Sequence, residues 1–235
     1  MKREIRVPFF EVGVKNYIYG DSVLALAEAA EAASERYGID VLFIAPYADI
    51  RMVAERCGRL IVLAPYMDVL RPGRGIADVL PESLKAAGAQ GVVINHCERP
   101  LSVSSIKQTI ERANELDIIS FVCADSIAET RAVAELRPDV INPEPTELIA
   151  GGVASGMDYI LASIKAVKDV CPGILVEQAA GLSSGEQVYR AIMAGADGAG
   201  AASGIVCAKD PFAMIDEMTA AVRKAYDDRT NTKAD

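Results

Sequence analysis

The chain is poor in metal-ligating residues. It holds one histidine, His96, and five cysteines: Cys57, Cys97, Cys123, Cys171 and Cys207. No two cysteines fall in a C-x-x-C spacing, so the short-range ligand grouping of a zinc site is missing and no metal is expected. An odd number of cysteines scattered through apolar stretches fits a reducing cytoplasm better than a disulfide framework. Positive charge is also short, with 24 Lys and Arg against 33 Asp and Glu and a formal net charge of −9. That balance lacks the basic footprint that binds a phosphate backbone, so nucleic acid is not an expected partner. No uninterrupted apolar run reaches the ~20 residues of a membrane span. The opening MKREIRVPFFEV has only a short apolar run before Glu11 and does not read as a signal peptide.

What is present is an alternation. Short apolar runs predict strands at 6–14, 40–45, 60–64, 91–94, 119–123, 140–142, 174–177 and 197–201. They lack the strict polar alternation of one-sided strands, as expected where both faces are covered. Helical patterns lie between them, at 22–37, 47–57, 81–87, 103–116, 127–136, 157–170, 185–194 and 211–226. In the first, Val23, Leu26, Ala27, Ala30 and Ala33 fall on one face, Asp21 or Ser22 supplies an N-cap, and Gly38 stops the helix. Eight strand–helix units without a break in composition predict a single (β/α)8 barrel domain over 1–226. A doubly wound open sheet is the rival topology, since strand order is not written in one sequence. The polar stretch 227–235 reads as a frayed tail.

In such a barrel only the C-terminal ends of strands and the loops after them face the active site. Lys15 follows the first strand, Asn95-His96-Cys97-Glu98-Arg99 the fourth, and Glu144, between Pro143 and Pro145, the sixth. A lysine, an imidazole and carboxylates therefore converge on one mouth. Imidazole exchanges protons near neutral pH, which few side chains do. The seventh and eighth strands end in small-residue turns, Ala179-Ala180-Gly181-Leu182-Ser183 and Ala201-Ala202-Ser203-Gly204. Such turns let backbone N–H groups approach an anion.

These segments resemble the triosephosphate isomerase family, in its compact archaeal-type branch, from about Val12 to Pro211. The run 95–99 matches the family's Asn-His-Ser-Glu-Arg, with Cys97 in place of serine. The run 144–152 is similar to the catalytic glutamate and its mobile lid, and 180–186 and 202–204 to the phosphate-holding turns. The resemblance implies an isomerase that interconverts an aldose phosphate and a ketose phosphate through an enediolate, with triose phosphates as first choice. Glu144 would take a proton from carbon, His96 would polarise the carbonyl, Lys15 would supply positive charge and Glu98 would orient Lys15. Gly13, Ala150, Gly181, Ala202 and Ser203 fall where the family contacts substrate or phosphate. No cofactor is implied, and the assembly implied is a homo-oligomer, a dimer or tetramer.

The departures are specific. Gly13 stands where the family has asparagine, Ala150 and Ala179 where it has glycine, and Gly200 where it has a larger apolar residue. The loop after the third strand, 71–78, lacks the threonine that the family sends into a neighbouring subunit. Arg71 and Arg74 sit there instead, either at a different interface or on a solvated loop. Gly13 removes volume beside the reacting end, which raises two alternatives: isomerisation of a tetrose or pentose phosphate, or a non-catalytic paralogue that binds a phosphorylated ligand.

Overall fold

The computed structural model describes residues 2–146 and 155–232. Eight strands, β1 (Phe9–Gly13), β2 (Asp40–Ile44), β3 (Ile61–Ala64), β4 (Gly91–Ile94), β5 (Ile119–Ala124), β6 (Val140–Pro143), β7 (Leu175–Gln178) and β8 (Gly198–Ala201), pair in chain order and close on themselves. Every pairing is parallel, β1 with β8 included. This is the (β/α)8 barrel, not the open sheet. Around it run α1 (Asp21–Tyr37), α2 (Ile50–Arg56), α3 (Pro81–Ala86), α4 (Val103–Glu115), α5 (Ile127–Ala134), α6 (Met157–Lys168), α7 (Gly185–Met193), α8 (Ser203–Val206) and α9 (Pro211–Asn231).

The period of two along each strand splits the apolar residues into two cores. Phe9, Leu42, Ile61, Leu63, Ile119, Phe121 and Val140 point inward and fill the barrel. Phe10, Val12, Val41, Phe43, Val62, Val92 and Val122 point outward, under the helices. Each fully buried side chain of this size contributes about 1.5–3 kcal/mol through removal from water. The Gly-Ala-Gly-Ala sequence of β8 follows the same period. Ala199 and Ala201 pack outward, while a Cβ at Gly198 would overlap the Phe9 ring inside.

Several boundaries move. The first strand begins at Phe9, not at 6, because Pro8 has no N–H to give to a ladder. Before it, Arg6 pairs with Asp40 and Lys2 with Asp139 at the N-terminal rim. Neither Asp21 nor Ser22 caps α1: the cap position is Gly20, at φ 61°, and Asp21 lies in the first turn, where a carboxylate favours the helix dipole. Four other helices have a side-chain cap, with Ser102, Ser126, Ser184 and Asp210 each accepting backbone N–H bonds at the starts of α4, α5, α7 and α9.

The expected tail from 227 is helical as far as Asn231. Its polar residues have partners: Arg223 bonds Asp227, Lys224 bonds Asp228, and Tyr189 Oη donates to Asp228 at 2.8 Å. Arg229 donates to the carbonyls of Ile192 and Ala196 at 2.6 and 2.9 Å. Among the cysteines, Cys57 and Cys123 are buried, Cys97 and Cys171 half-buried, and Cys207 exposed.

Candidate active site

A cavity of about 370 Å³ opens at the C-terminal ends of the strands. Its lining takes Glu11, Gly13 and Lys15 from β1 and the turn after it, His96, Glu98 and Arg99 from the loop after β4, and Cys123 from β5. Asn142 and Glu144 come from β6 and its exit, and Ala179 and Ala202 from the turns after β7 and β8.

Local backbone sets the angles. Lys15 has φ 45° and Asn95 has φ 61°, both in the left-handed region that non-glycine residues rarely enter. Asn95 is held there by its side chain. Its Nδ2 donates to Cys123 O and Glu129 Oε1, each at 3.0 Å, and its Oδ1 accepts from Leu101 N–H at 2.8 Å. That turns the chain sharply after β4 and aims His96 into the mouth.

The imidazole of His96 has a defined form. Its Nδ1 accepts the Glu98 N–H at 3.1 Å, so Nδ1 carries a lone pair and the proton resides on Nε2. Burial and then the Lys15 charge push its pKa down, and Glu98 opposes them. The 3.7 Å approach of Nδ1 to Glu98 Oε2 is accordingly a neutral contact rather than an ion pair. Nε2 faces Glu144 Oε2 at 3.7 Å.

Glu144 is mounted rigidly. Its N–H donates to Ala124 O at 2.8 Å, and Asn142 Nδ2 reaches Glu144 Oε2 at 3.4 Å. Beyond it, Thr146 donates twice to Asp125 Oδ1, at 2.8 Å from its N–H and 2.7 Å from its hydroxyl, and these bonds hold the Asp125 pKa low. Burial raises the pKa of Glu144, Lys15 lowers it and Glu98 raises it further. Lys15 Nζ lies 3.3 Å from Glu98 Oε1. Arg99 stacks on the Tyr66 ring at 4.0 Å, a second cation at the mouth.

The structure thus gathers Glu144, His96, Lys15, Glu98, Gly13 and Ala202 around one cavity. Gly181 and Ser203 do not line it. Gly181 sits at φ 68°, and a Cβ at Gly204 would overlap the Leu182 carbonyl, so the turns after β7 and β8 meet backbone to backbone. Ala150 lies in 147–154, outside the described residues. Among the described residues, no group of three or more His, Cys, Asp or Glu is arranged to hold a metal.

Gly13 lines the cavity, and a Cβ there would lie 2.8 Å from Glu11 Oε1, so the Glu11 carboxyl stands in part of the space left by the missing side chain. Gly200 likewise makes room, since its Cβ would overlap both Glu177 Oε1 and Glu11 Oε2. Glu11 is 5% exposed and Glu177 fully buried, and burial pushes both pKa values well up. Sequence reasoning missed both, and Asn142 with them: Glu11 lies inside its expected strand, Glu177 and Asn142 end theirs, and which side of the strand each one faces is set by register.

A closed (β/α)8 barrel whose mouth joins a buried carboxylate, a neutral imidazole and an ammonium defines a barrel with a general acid–base site. A family profile described as triosephosphate isomerase matches residues 12–219. The triosephosphate isomerase of Methanothermus fervidus is 34% identical over 202 residues, covering 85% of this chain and 90% of that one. That of Sulfurisphaera tokodaii is 31% identical over 227 residues, covering 95% and 99%. The crystal structure of the Bartonella henselae triosephosphate isomerase shares the fold, with a TM-score of 0.73 at 15% identity over 94% of this chain and 99% of that one. The chain belongs to the triosephosphate isomerase family, in its archaeal branch.

Proposed function

We propose that this protein interconverts dihydroxyacetone phosphate and glyceraldehyde 3-phosphate by proton transfer through an enediolate. The observation that carries the reading is the His96–Glu144 pair: a neutral imidazole with its proton on Nε2, facing a buried carboxylate across 3.7 Å of cavity.

Glu144 removes a proton from the carbon beside the carbonyl. Burial raises its basicity, which a carbon acid requires. His96 donates from Nε2 to the carbonyl oxygen and then moves the proton between the two substrate oxygens. Lys15 neutralises charge on the enediolate and the phosphate, and Glu98 steers both neighbours, through its carboxylate to Lys15 and its N–H to His96. The turns carrying Gly181, Ala202 and Ser203 present backbone N–H groups to the phosphate, and Ala150 falls in the lid segment. The chain requires no cofactor in this scheme.

We assign it to the cytoplasm, which its free thiols and acidic balance support. Among the described residues no helix is long and apolar enough to cross a membrane. It works as a homo-oligomer. Ile76, 93% exposed, offers an apolar contact on the loop after β3, while Arg71 is tied back to Glu115 of its own chain.

The test is isomerisation of dihydroxyacetone phosphate in a coupled assay, with Glu144→Gln as the variant. Removing a general base costs about 10²–10⁴-fold in rate, so that loss in kcat is expected with the fold intact by circular dichroism. No turnover by the wild-type protein overturns the reading.

A further inference from the structure

The interior of this barrel holds an uncommon pair. Glu11 and Glu177 point inward from β1 and β7, and their oxygens face each other across Gly200. Buried polar atoms are nearly always hydrogen-bonded. Here Glu11 Oε1 and both oxygens of Glu177 have no hydrogen-bond partner among the described residues. The same holds for Asn142 Oδ1, on a side chain that is 4% exposed and lines the cavity beside Glu11. Two of these orphaned oxygens, on Glu11 and Asn142, belong to residues that line the candidate active site, and the two of Glu177 lie behind Glu11 across Gly200. Glycines at 13 and 200, far apart in sequence, clear the volume that Glu11 occupies.

The chemistry narrows what Glu11 does. Two carboxyls facing each other in a dry interior do not both ionise. The charged groups around Glu11 are Glu177 from β7, Glu144 after β6 and Lys15 after its own strand. Lys15 is engaged with Glu98. Glu11 lines the cavity, and a neutral carboxyl there has a proton to donate, where an ionised one would repel a phosphorylated substrate. It sits over Gly13, in the space a longer side chain at that position would take.

We propose that Glu11 is a substrate-contacting, specificity-determining residue, whose carboxyl hydrogen-bonds an oxygen at the reacting end of the sugar phosphate. The inference rests on the reading of the site as a triose phosphate isomerase and adds a contact to it.

The test uses Glu11→Leu, Glu11→Gln, Gly13→Asn and the double variant Glu11→Leu/Gly13→Asn, each checked for folding by circular dichroism. Losing one such hydrogen bond to a charged or charging oxygen lowers kcat/KM by about 10–100-fold. Glu11→Leu should show that loss, and Glu11→Gln, which keeps a donor, a smaller one. Gly13→Asn should lose activity alone, by collision with the carboxyl. In the Glu11→Leu background it should restore activity, because its amide enters the vacated space. Such a reversal of sign is a coupling that independent sites do not produce.

Dihydroxyacetone phosphate affinity is measured in parallel by calorimetry, with every variant also placed in the Glu144→Gln background. Unchanged kcat/KM and affinity in Glu11→Leu overturn the proposal and leave the isomerase reading standing. Equal losses in the Leu and Gln variants show that a hydrogen-bond donor at this position does not suffice and overturn it too. An inactive wild-type protein whose binding still weakens on Glu11→Leu overturns the isomerase reading and keeps this contact. Absence of both turnover and binding removes both.

Discussion

At the scale of residues, the site divides by how each group was legible. His96, Glu98 and Glu144 stand in short runs at strand ends, where a side chain's surroundings follow from the loop that carries it. Glu11 and Glu177 lie inside strands, and which way they face depends on register and on a glycine in β8, at the other end of the chain. No local pattern carries that information.

The buried pair has a measurable signature. Burial first, then Glu11 and Glu144, raise the pKa of Glu177 above the ordinary 4.5. Below that pH both folded and unfolded chains are protonated, and the group is neutral to stability. As pH climbs past 4.5, the unfolded chain releases a proton that the folded one keeps, so stability falls with rising pH. Glu177→Gln removes that slope. Urea unfolding should show the variant gaining on the wild type between pH 4 and pH 8; an equal difference at both would contradict the pKa direction.

Asn95 gives a second residue-scale expectation. Asn95→Ala loses three hydrogen bonds and keeps a φ that alanine resists. A cost of about 2–4 kcal/mol follows from about 1 kcal/mol for each bond plus the backbone strain. Denaturant unfolding measures it, and kcat should fall with it because His96 is the next residue.

At the scale of elements, helical spacing marked seven of the helices within a few residues at each end. The eighth, α9, began at Pro211 as the helical pattern places it and ran on past the point where its apolar pattern ends. Charged residues on its last turns carry it through partners on α7, a tertiary effect that periodicity does not encode. The short α8 escaped notice because four residues make no period. Arg229 is the test of this account. Its two bonds to carbonyls near the end of α7 bind a cation where the helix dipole favours one. Arg229→Ala should cost about 1–3 kcal/mol, or a drop in Tm of about 2–12 °C for a chain of this size. A melt within 1 °C of the wild type would show the contact to be idle.

At the scale of the whole molecule, eight repeats of one unit made the barrel legible, and closure through β1 and β8 is what the count alone left open. Assembly belongs to this scale. The exposed Ile76 and the Arg71–Glu115 pair give the loop after β3 a fixed base and an apolar tip. Light scattering on the eluted protein should return a mass of at least two chains of 25.0 kDa, and Ile76→Asp should shift it toward one. A single-chain mass for the wild type would assign that loop to solvent.

The distribution of sulfur has a practical side. Thiol reagents attack the thiolate, and burial keeps Cys57, Cys97 and Cys123 protonated. Cys207 is exposed, and its N–H bonds back to Ser203 O at 3.0 Å, one helical turn from the mouth of the barrel. A maleimide dye added to the untouched protein would settle there first. Ligand arrival could then be watched as a change in fluorescence, in a chain that has no tryptophan of its own to report it.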